Sequence, residues 1–268
     1  MVDLEIICVG NELLIGKILN TNAHWIGKQA TNIGIDVKRI TVVQDIVSEI
    51  ASVICESLRR KPEFIIITGG LGPTFDDKTL QGVAKALNLE LEVNQEALEM
   101  VKEKCRQYSK AINMPMGEMT PRRVKMATIP EKTHPVFNPI GTAPGVRVDV
   151  NGTALFSLPG VPSEMEAIFT QTIAPQLKQA VGDTVFCEKS MFVNQMAESH
   201  LAPLIDRVMI DNEGVYIKSH PMAVENKPHI EVHLTIRAKN EEKPAQKIKN
   251  AMRQLTSLIE ENDGIAIV

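Results

Sequence analysis

The sequence predicts an α/β domain with a three-layer, mostly parallel sheet, followed by a small βαββα module of the α+β class. Strand-like apolar runs alternate with helical periodicities through the first two thirds of the chain, which indicates βα units and helices on both faces of a parallel sheet. One run, Phe64–Ile67, has no polar alternation and is therefore typical of a strand covered on both faces. From Asp183 onward the order becomes strand, helix, strand, strand, helix, so we predict domains over 1–180 and 181–268.

The composition is that of a folded globular protein, with 44% hydrophobic and 23% charged residues among 268. The formal charge of −4 gives no general attraction to nucleic acid or to anionic membranes. The four cysteines form no CxxC pair, so neither a zinc site nor a redox motif is expected. The N-terminus does not resemble a signal peptide and no segment is long enough to span a membrane, so we expect a cytoplasmic protein.

The first elements place several loops at one edge of the predicted sheet. In order they are strand Leu4–Val9, helix Asn22–Asn32, strand Ile35–Val43, helix Ile46–Arg60 and strand Phe64–Ile67. Ligands of such sheets bind beyond the carboxyl ends of the strands. The segments Gly10–Thr21, Gln44–Asp45 and Thr68–Asp77 all follow strands and are expected at that edge.

The next part of the chain carries a capped helix and a hairpin. Asn94 caps a predicted helix that ends at Lys110, while Asn113–Pro130, rich in Pro and Met, supports no assignment. Asn151-Gly152 between two apolar runs, Val146–Val150 and Thr153–Leu158, predicts a hairpin with a type I′ turn. Ser163 and Glu166 then form a capping-box pattern at the start of another helix.

The module after residue 183 has strands at Val185–Val193, Val215–His220 and His229–Ala238, helices at Gln195–Met209 and Lys243–Asn262, and a polar loop at Pro221–Pro228. In the third strand, His229, Glu231 and His233 alternate and share one face. They could hold a metal, but such a row is more typical of the solvated face of a half-buried strand, because the residues between them are apolar.

The segment Phe64–Thr79, FIIITGGLGPTFDDKT, is typical of a phosphate site. Gly69, Gly70 and Gly72 allow a sharp turn that brings backbone amides close to an anion. Asp76 and Asp77 then open a helical periodicity, so that the N-terminus of the helix would face the loop. One Asp suffices as a cap, whereas two carboxylates beside an anion require a cation between them. The pattern suggests metal-assisted phosphate chemistry, although glycine-rich turns followed by a capping Asp also occur without a ligand.

Other candidate residues lie in flanking loops. Glu12 follows the first strand, where a carboxylate is well placed to bind a metal or a ribose hydroxyl. The alternative is that Glu12 is an exposed loop residue without a ligand. The segment around it is no P-loop, since five residues separate Gly10 and Gly16 and Ile18 replaces the required Ser or Thr. Thr21-Asn22 is a helix cap or a ligand contact. Asn138–Gly145, NPIGTAPG, forms either a rigid loop with exposed amides for a second phosphate or base, or a structural turn.

Taken together, VGNELLIG (9–16), TN (21–22), TGGLGPTFDDKT (68–79), NPIGTAPG (138–145) and LPGVPSEM (158–165) resemble the CinA family of competence-damage-inducible proteins. GVYIKSHP (214–221), within the βαββα module, also resembles this family. The glycine loop and its Asp residues further resemble the molybdopterin-binding domain of molybdenum-cofactor biosynthesis proteins. The first domain is therefore expected to be molybdopterin-binding-like, and the module is similar to the KH fold.

The resemblance to CinA implies hydrolysis of the pyrophosphate of ADP-ribose to AMP and ribose 5-phosphate with a divalent metal, Mg²⁺ or similar. By motif, the catalytic residues are Asp76 and Asp77, and the metal ligands are Glu12, Asp45 and Asp77. The implied ligand contacts are Thr21, Asn22, Thr68, Gly69, Gly70, Gly72, Asn138, Gly141, Thr142, Gly145 and Gly160. Many bacterial members continue into a nicotinamide-nucleotide deamidase domain; this chain stops at Val268, so no deamidase activity is expected.

Two alternatives stay open. The same loop would serve molybdopterin binding or adenylyl transfer, with a nucleotide-like small molecule as partner in either case. A nucleic-acid-binding role for the KH-like module would need a GxxG loop, and the only glycines after residue 183 are Gly214 and Gly264. We therefore expect the module to serve packing or dimer contacts in a homo-oligomer, and we expect no membrane partner.

Overall fold

The computed structural model describes residues 2–113, 117–224 and 227–268. The chain divides into two compact units, one comprising Ile35–Ala180 with the residues up to Thr31, the other Val181–Val268 with Asn32–Gly34. The first contains a mostly parallel sheet and the second an antiparallel one. The predicted fold class, α/β followed by a small α+β module, is confirmed.

The central sheet of the first unit has six strands in the order β2-β1-β3-β8-β7-β6. The strands up to residue 158 are β1 (Asp3–Val9), β2 (Asp36–Val43), β3 (Phe64–Thr68), β4 (Leu91–Val93), β5 (Thr128–Pro130), β6 (His134–Val136), β7 (Gly145–Val150) and β8 (Thr153–Leu158). β2, β1, β3 and β8 run parallel, whereas β7 is antiparallel to β8 and to β6. β4 and β5 form a separate antiparallel pair. The carboxyl ends of β1, β2, β3, β6 and β8 therefore reach the same edge.

Helices cover this sheet. They are α1 (Asn11–Leu14), α2 (Thr21–Ile33), α3 (Val47–Arg60), α4 (Thr79–Leu87), α5 (Gln95–Ala111), α6 (Pro121–Lys125), α7 (Pro162–Ile168) and α8 (Ala174–Val181), with a π-helix at Phe169–Ile173 between the last two. Residues of α3 and α4 pack with Ile65 and Ile67 of β3 in one core cluster. Ile66, which points to the opposite face, is also fully buried. The prediction that β3 is covered on both faces is confirmed.

Local signals at two turns are confirmed. The Asn94 side chain accepts a hydrogen bond from the Ala97 N–H at 3.0 Å and caps α5. Asn151 and Gly152 have φ angles of 50° and 90°, as a type I′ hairpin turn between β7 and β8 requires.

Two predicted helix starts are wrong. α4 begins at Thr79 rather than at Asp76, because the Asp77 carboxylate accepts the Thr74 N–H within the loop and does not cap the helix. The capping box at Ser163 does not form, since Val161 is the N-cap residue of α7 and Pro162 takes its first position, where the fixed φ of proline suits a helix.

The second unit has the predicted strand, helix, strand, strand, helix order and one further strand. Its elements are β9 (Thr184–Asn194), α9 (Glu198–Asp211), β10 (Val215–Val224), β11 (Lys227–Lys239), a 3₁₀ turn (Asn240–Glu242), α10 (Pro244–Glu261) and β12 (Ile265–Ile267). The sheet order is β10-β11-β9-β12. Ile230, Val232 and Leu234 of β11 are buried in one core with residues of α9 and α10. The helices and strands of this unit thus share a single core.

Two predictions need correction or completion. The predicted loop Pro221–Pro228 is mostly strand, because β10 extends to Val224 and β11 starts at Lys227; residues 225 and 226 lie outside the described residues. The unassigned segment Asn113–Pro130 contains α6 and β5, and its residues 114–116 are likewise outside the description. Within the described ranges, no helix is both long and apolar enough to cross a membrane.

The histidine row of β11 lies on the solvated side of the strand, as its apolar neighbours predict. His233 contacts two carboxylates, with Nδ1 3.0 Å from Glu188 and Nε2 2.9 Å from Glu231. His229 instead pairs with Asn194 at 2.6 Å. In the described part of the chain, no three His, Cys, Asp or Glu side chains are grouped to hold a metal ion. The row therefore makes polar contacts along the sheet.

Candidate functional site: the glycine-loop cavity

A cavity of about 610 Å³ opens at the carboxyl edge of the parallel strands, where ligands of such sheets bind. Val9 of β1, Thr68 of β3 and Pro159 after β8 lie in its lining. Cavities of a few hundred cubic ångströms accommodate small ligands and cofactors. The volume suits a molecule of nucleotide or pterin size.

The glycine loop requires glycine at its first two positions. Gly69 and Gly70 have φ angles of 105° and 65°, in the left-handed region that favours glycine. A Cβ on Gly69 would also lie 2.2 Å from the Val9 carbonyl oxygen. The backbone of this loop therefore packs directly against β1. A residue with a side chain could not take the place of Gly69, because its Cβ would clash with the backbone of Val9.

The loop leaves three consecutive amides without a protein partner. The Gly69 N–H donates to the Leu158 carbonyl at 3.0 Å and closes the loop against β8. The carbonyls of Gly69 and Gly70 accept hydrogen bonds from the Thr79 hydroxyl and the Thr79 N–H. Among the described residues no acceptor binds the amides of Gly70, Leu71 and Gly72, and all three residues line the cavity. A run of unpaired amides of this kind is suited to an anion.

Three cavity carboxylates each lie against a glycine. A Cβ on Gly10 would come 2.5 Å from Oε1 of Glu12. A Cβ on Gly72 would lie 2.7 Å from Oδ2 of Asp77. A Cβ on Gly141 would lie 2.0 Å from Oε2 of Glu164. These glycines are not in the left-handed region. Their role is to make room for an acidic side chain, which the sequence pattern alone did not reveal.

Asp76 and Asp77 meet at the hydroxyl of Thr74. Oδ2 of Asp77 accepts the Thr74 N–H at 2.8 Å and lies 2.6 Å from its Oγ1, and Oδ1 of Asp76 contacts the same Oγ1. The pKa of Asp76 is lowered, first by the hydrogen bond from the Thr74 hydroxyl and then by the backbone N–H of Asp76 itself. The nearby charges of Lys125 and Lys78 also lower it. Asp76 is therefore ionised at neutral pH.

Asp45 and Glu12 lie beyond β2 and β1. Asp45 accepts the Asn11 N–H at 2.8 Å. Burial raises the pKa of Asp45, the Asn11 hydrogen bond opposes this rise, and the charges of Glu12 and Asp76 add to it. The three carboxylates are thus close enough to repel one another, and a cation between them would relieve that repulsion.

The predicted metal ligands Glu12, Asp45 and Asp77 all line the cavity, but they do not form a three-carboxylate group within the described residues. Mg²⁺ typically takes one or two carboxylates and completes its shell with water and substrate phosphate. The oxygen donors present fit that kind of binding and not a cage made of protein alone.

The lining is strongly acidic. It contains five carboxylates, namely Glu12, Asp45, Asp76, Asp77 and Glu164, and no Lys, Arg or His among the residues that the structure describes there. The unpaired amides favour an anion, whereas the side chains repel one. A phosphate can bind here with its charge neutralised by a cation.

Asn22 joins three elements at the cavity wall. Its Nδ2 donates to Thr68 Oγ1 at 3.0 Å and to the Gly160 carbonyl at 2.8 Å. Thr68 Oγ1 in turn donates to the Pro159 carbonyl at 3.2 Å. A Cβ on Gly160 would lie 3.3 Å from Cα of Gly69. These contacts hold the loop after β8 against the glycine loop.

Most predicted ligand residues line the cavity, namely Thr21, Asn22, Thr68, Gly69, Gly70, Gly72, Thr142 and Gly160, as do both predicted catalytic residues, Asp76 and Asp77. Asn138, Gly141 and Gly145 are not among the lining residues. Asn138 is 3% exposed, and its side chain bonds to the backbone of 140, 141 and 143 and to Glu164. Gly141 lies beneath the Glu164 carboxylate, and Gly145 packs against Ser157 of β8.

Sequence reasoning missed two residues. Glu164 lies in the first turn of α7, which starts two residues earlier than a capping box at Ser163 would place it, and lines the cavity. Lys125 supports the glycine loop from behind, where its Nζ donates to the carbonyls of Gly72 at 2.9 Å and Asp77 at 2.7 Å. Burial lowers the pKa of Lys125, and the charges of Asp77 and Asp76 oppose this. Lys125 lies in the Pro- and Met-rich segment, whose pattern gave no signal for it.

A glycine loop and acidic side chains at the carboxyl edge of a mostly parallel sheet place the chain among α/β proteins whose ligand sites lie at the strand ends. Residues 5–179 match the family described as a probable molybdopterin binding domain, and the chain belongs to that family.

Similar proteins occur in several other organisms. The chain is 46% identical over 255 residues to a Caldivirga maquilingensis protein, covering 94% of this chain and 95% of the relative. It is 42% identical over 267 residues to an Aeropyrum pernix protein, with 97% of each chain covered. A crystal structure of the protein CinA, of unknown function, from Thermoplasma acidophilum matches with 40% identity and a TM-score of 0.58, covering 65% of this chain and 98% of that one.

Proposed function

We propose that the protein binds a phosphorylated pterin of the molybdopterin type in the glycine-loop cavity and catalyses adenylyl transfer to its phosphate. The observation that carries the proposal is the run of three unpaired amides, Gly70 to Gly72, in the lining of a cavity of about 610 Å³. Membership of the molybdopterin-binding domain family supports a pterin as the ligand. The sheet edge supplies the phosphate seat, and the rest of the cavity is left for the ring.

The protein residues have separate roles in this proposal. The amides of Gly70–Gly72 hold the phosphate in place by hydrogen bonds. Asp76 and Asp77, with Asp45 nearby, are the oxygen donors for a divalent cation. When bound, Mg²⁺ neutralises charge on the phosphate oxygens. A phosphate oxygen of the pterin attacks the α-phosphorus of ATP, a new pyrophosphate bond forms, and inorganic pyrophosphate leaves.

The test is to supply purified protein with molybdopterin, ATP and Mg²⁺ and to follow products by chromatography. Adenylylated pterin and pyrophosphate should appear in equal amounts and disappear when EDTA is added. Asp76→Asn and Asp77→Asn should lower the rate strongly. Asp149→Asn, which removes an exposed carboxylate of β7 outside the cavity lining, should not. Absence of both pterin binding and adenylylated product would contradict the proposal.

A second candidate function is metal-dependent hydrolysis of ADP-ribose to AMP and ribose 5-phosphate. The acidic lining favours it, because a water molecule attacking the pyrophosphate must lose a proton to a nearby base. Asp45 has the raised pKa that suits such a base. Water attacks one phosphorus, the bridging P–O bond breaks, and the proton passes to a carboxylate.

The similarity to the Thermoplasma CinA protein and the five sequence motifs support a further proposal, that the chain is a CinA-family member.

The two functions are separated by incubating the protein with ADP-ribose and Mg²⁺ without ATP. Release of AMP favours the hydrolase, whereas inertness there together with pterin adenylylation favours the transferase. The same Asp76→Asn, Asp77→Asn and Asp149→Asn variants serve as tests and control.

A further inference from the structure

Glu164 is the one cavity carboxylate on the β8 side of the glycine loop. Asp45, Glu12 and the Asp76-Asp77 pair follow β2, β1 and β3 respectively, and Glu164 follows β8. Since the sheet order is β2-β1-β3-β8, Glu164 lies on the opposite side of the glycine loop from Glu12 and Asp45. If the phosphate of a ligand binds to the loop, the rest of the ligand extends either toward β1 or toward β8 and Glu164.

The carboxylate of Glu164 is held in a fixed position. Its Oε2 accepts a hydrogen bond from Asn138 Nδ2 at 2.7 Å. Asn138 is itself fixed, because its Oδ1 accepts the N–H groups of Ile140 and Gly141 and its Nδ2 also donates to the Ala143 carbonyl. The orientation of this amide is certain, since the Ala143 carbonyl can only accept. Gly141 then provides the space that the carboxylate fills.

The remaining acceptor positions of Glu164 have no partner. Within the described residues, no donor binds Oε1, and Oε2 receives only the Asn138 hydrogen bond. An ionised carboxylate offers about four lone-pair sites. The residues that line the cavity include no cationic side chain to pair with it. A preorganised acceptor with open positions is suited to a ligand that presents two adjacent donors.

We propose that Glu164 is the specificity-determining residue of this cavity and selects ligands that present paired hydrogen-bond donors. Two chemical groups of suitable size carry such a pair. One is the ring N–H beside the 2-amino group of a pterin or guanine, and the other is the vicinal hydroxyls of a ribose. The inference rests on the proposed function, because it takes the glycine loop as the phosphate seat. It adds the group by which the rest of the ligand is recognised.

The experiment measures dissociation constants by calorimetry with Mg²⁺ present for matched ligand pairs. GDP and IDP differ by the 2-amino group, and ADP and 2′,3′-dideoxy-ADP differ by the ribose hydroxyls. Inorganic pyrophosphate, which has neither group, reports on the phosphate seat alone. The variant is Glu164→Gln, which keeps the side-chain size. The control is Glu166→Gln, two residues along the same helix and outside the cavity lining.

In the wild type, the ligand with the full donor pair should bind about 10- to 100-fold more tightly in at least one ligand pair, as expected for hydrogen bonds to a charged group. The pair that shows the preference identifies the recognised group. Glu164→Gln should abolish the preference and leave pyrophosphate binding unchanged, and Glu166→Gln should behave as wild type.

Three outcomes would overturn the inference: no preference in the wild type, a preference that survives in Glu164→Gln, or an equal loss of pyrophosphate binding in that variant. The last would mean a structural role only. If the wild type does not bind pyrophosphate, the proposed function is contradicted instead. In that case a nucleotide preference that depends on Glu164 would still support the inference about this residue.

Discussion

The carboxylate of Asp77 lies against the Cα of Gly72, where a Cβ would come 2.7 Å from Oδ2. Oδ2 is also the atom that accepts the Thr74 N–H, so it cannot move without releasing the loop. The segment from Gly72 to Asp77 is thus held in a turn by the hydrogen bond to the Asp77 carboxylate. Lys125 donates hydrogen bonds to the carbonyls at both ends of this segment. Gly72, at one end of that segment, also carries the last of the three unpaired amides.

We expect Gly72→Ala to weaken anion binding without unfolding the protein. The new methyl group displaces Asp77 and distorts the loop, so hydrogen bonds to a charged ligand are lost, at a cost of about 10-fold or more in affinity. Calorimetry with Mg²⁺-pyrophosphate measures the effect. Gly27→Ala is the matched control, because a Cβ there meets nothing within 4 Å on helix α2. It should bind normally and gain about 0.5–1 kcal/mol of stability.

We expect Arg60→Met to destabilise the protein. Glu5 is 3% exposed, and Arg60 donates two hydrogen bonds of 2.6 Å to its carboxylate. Removal of Arg60 leaves a buried carboxylate without its cation, which typically costs about 3 kcal/mol or more. Urea denaturation checks this value against Arg59→Met, which changes the exposed neighbouring arginine. Equal stability of the two variants would contradict the expectation.

The pH dependence of this pair has a definite sign. Burial alone would raise the pKa of Glu5, but the hydrogen bonds from Arg60 and Ser57 and the charge of Arg60 outweigh it, so the pKa falls below its ordinary value of 4.5. A lowered folded pKa stabilises the protein above pH 4.5, and this contribution is lost as pH falls through the folded value. The difference in unfolding free energy between wild type and Arg60→Met should shrink below pH 4.5.

We expect Asp45→Asn to stabilise the metal-free protein and to weaken its response to Mg²⁺. Asn keeps an acceptor for the Asn11 N–H and removes the charge that Glu12 and Asp76 repel. Relief of like-charge repulsion in a half-exposed site is worth about 1 kcal/mol. Thermal unfolding with and without Mg²⁺ measures both effects, with Asp149→Asn as control. A variant less stable than wild type without metal would contradict this explanation.

We expect Cys8 to resist alkylation in the native protein. It is fully buried in β1, and burial raises the pKa of its thiol to about 11, with a hydrogen bond from Asn20 acting against the rise. Iodoacetamide at pH 8 should therefore modify Cys8 only after unfolding, as peptide mass mapping would show. Because the folded pKa is raised from 9.0, stability should fall as pH rises from 9 through 11. Rapid modification of native Cys8 would contradict its burial.

Local patterns in the sequence determined much of this protein. The unbroken apolar run of β3 and the Asn151-Gly152 turn predict their structures, because burial on both faces and positive φ angles each restrict the residue types allowed. The order of strands and loops also placed Glu12, Asp45 and the glycine loop at one edge, because parallel strands bring their carboxyl ends together.

Only the tertiary structure decided how those loops fit one another. Asn22 bonds to Gly160 across 138 positions, and Glu164 fills the space above Gly141. Such contacts depend on how strands and helices pack, and a local pattern carries no information about packing partners distant in the chain. For the same reason the sequence did not reveal that Asn138 supports the Glu164 carboxylate. Local propensity fixed the elements and the edge, and packing decided which side chains face the cavity.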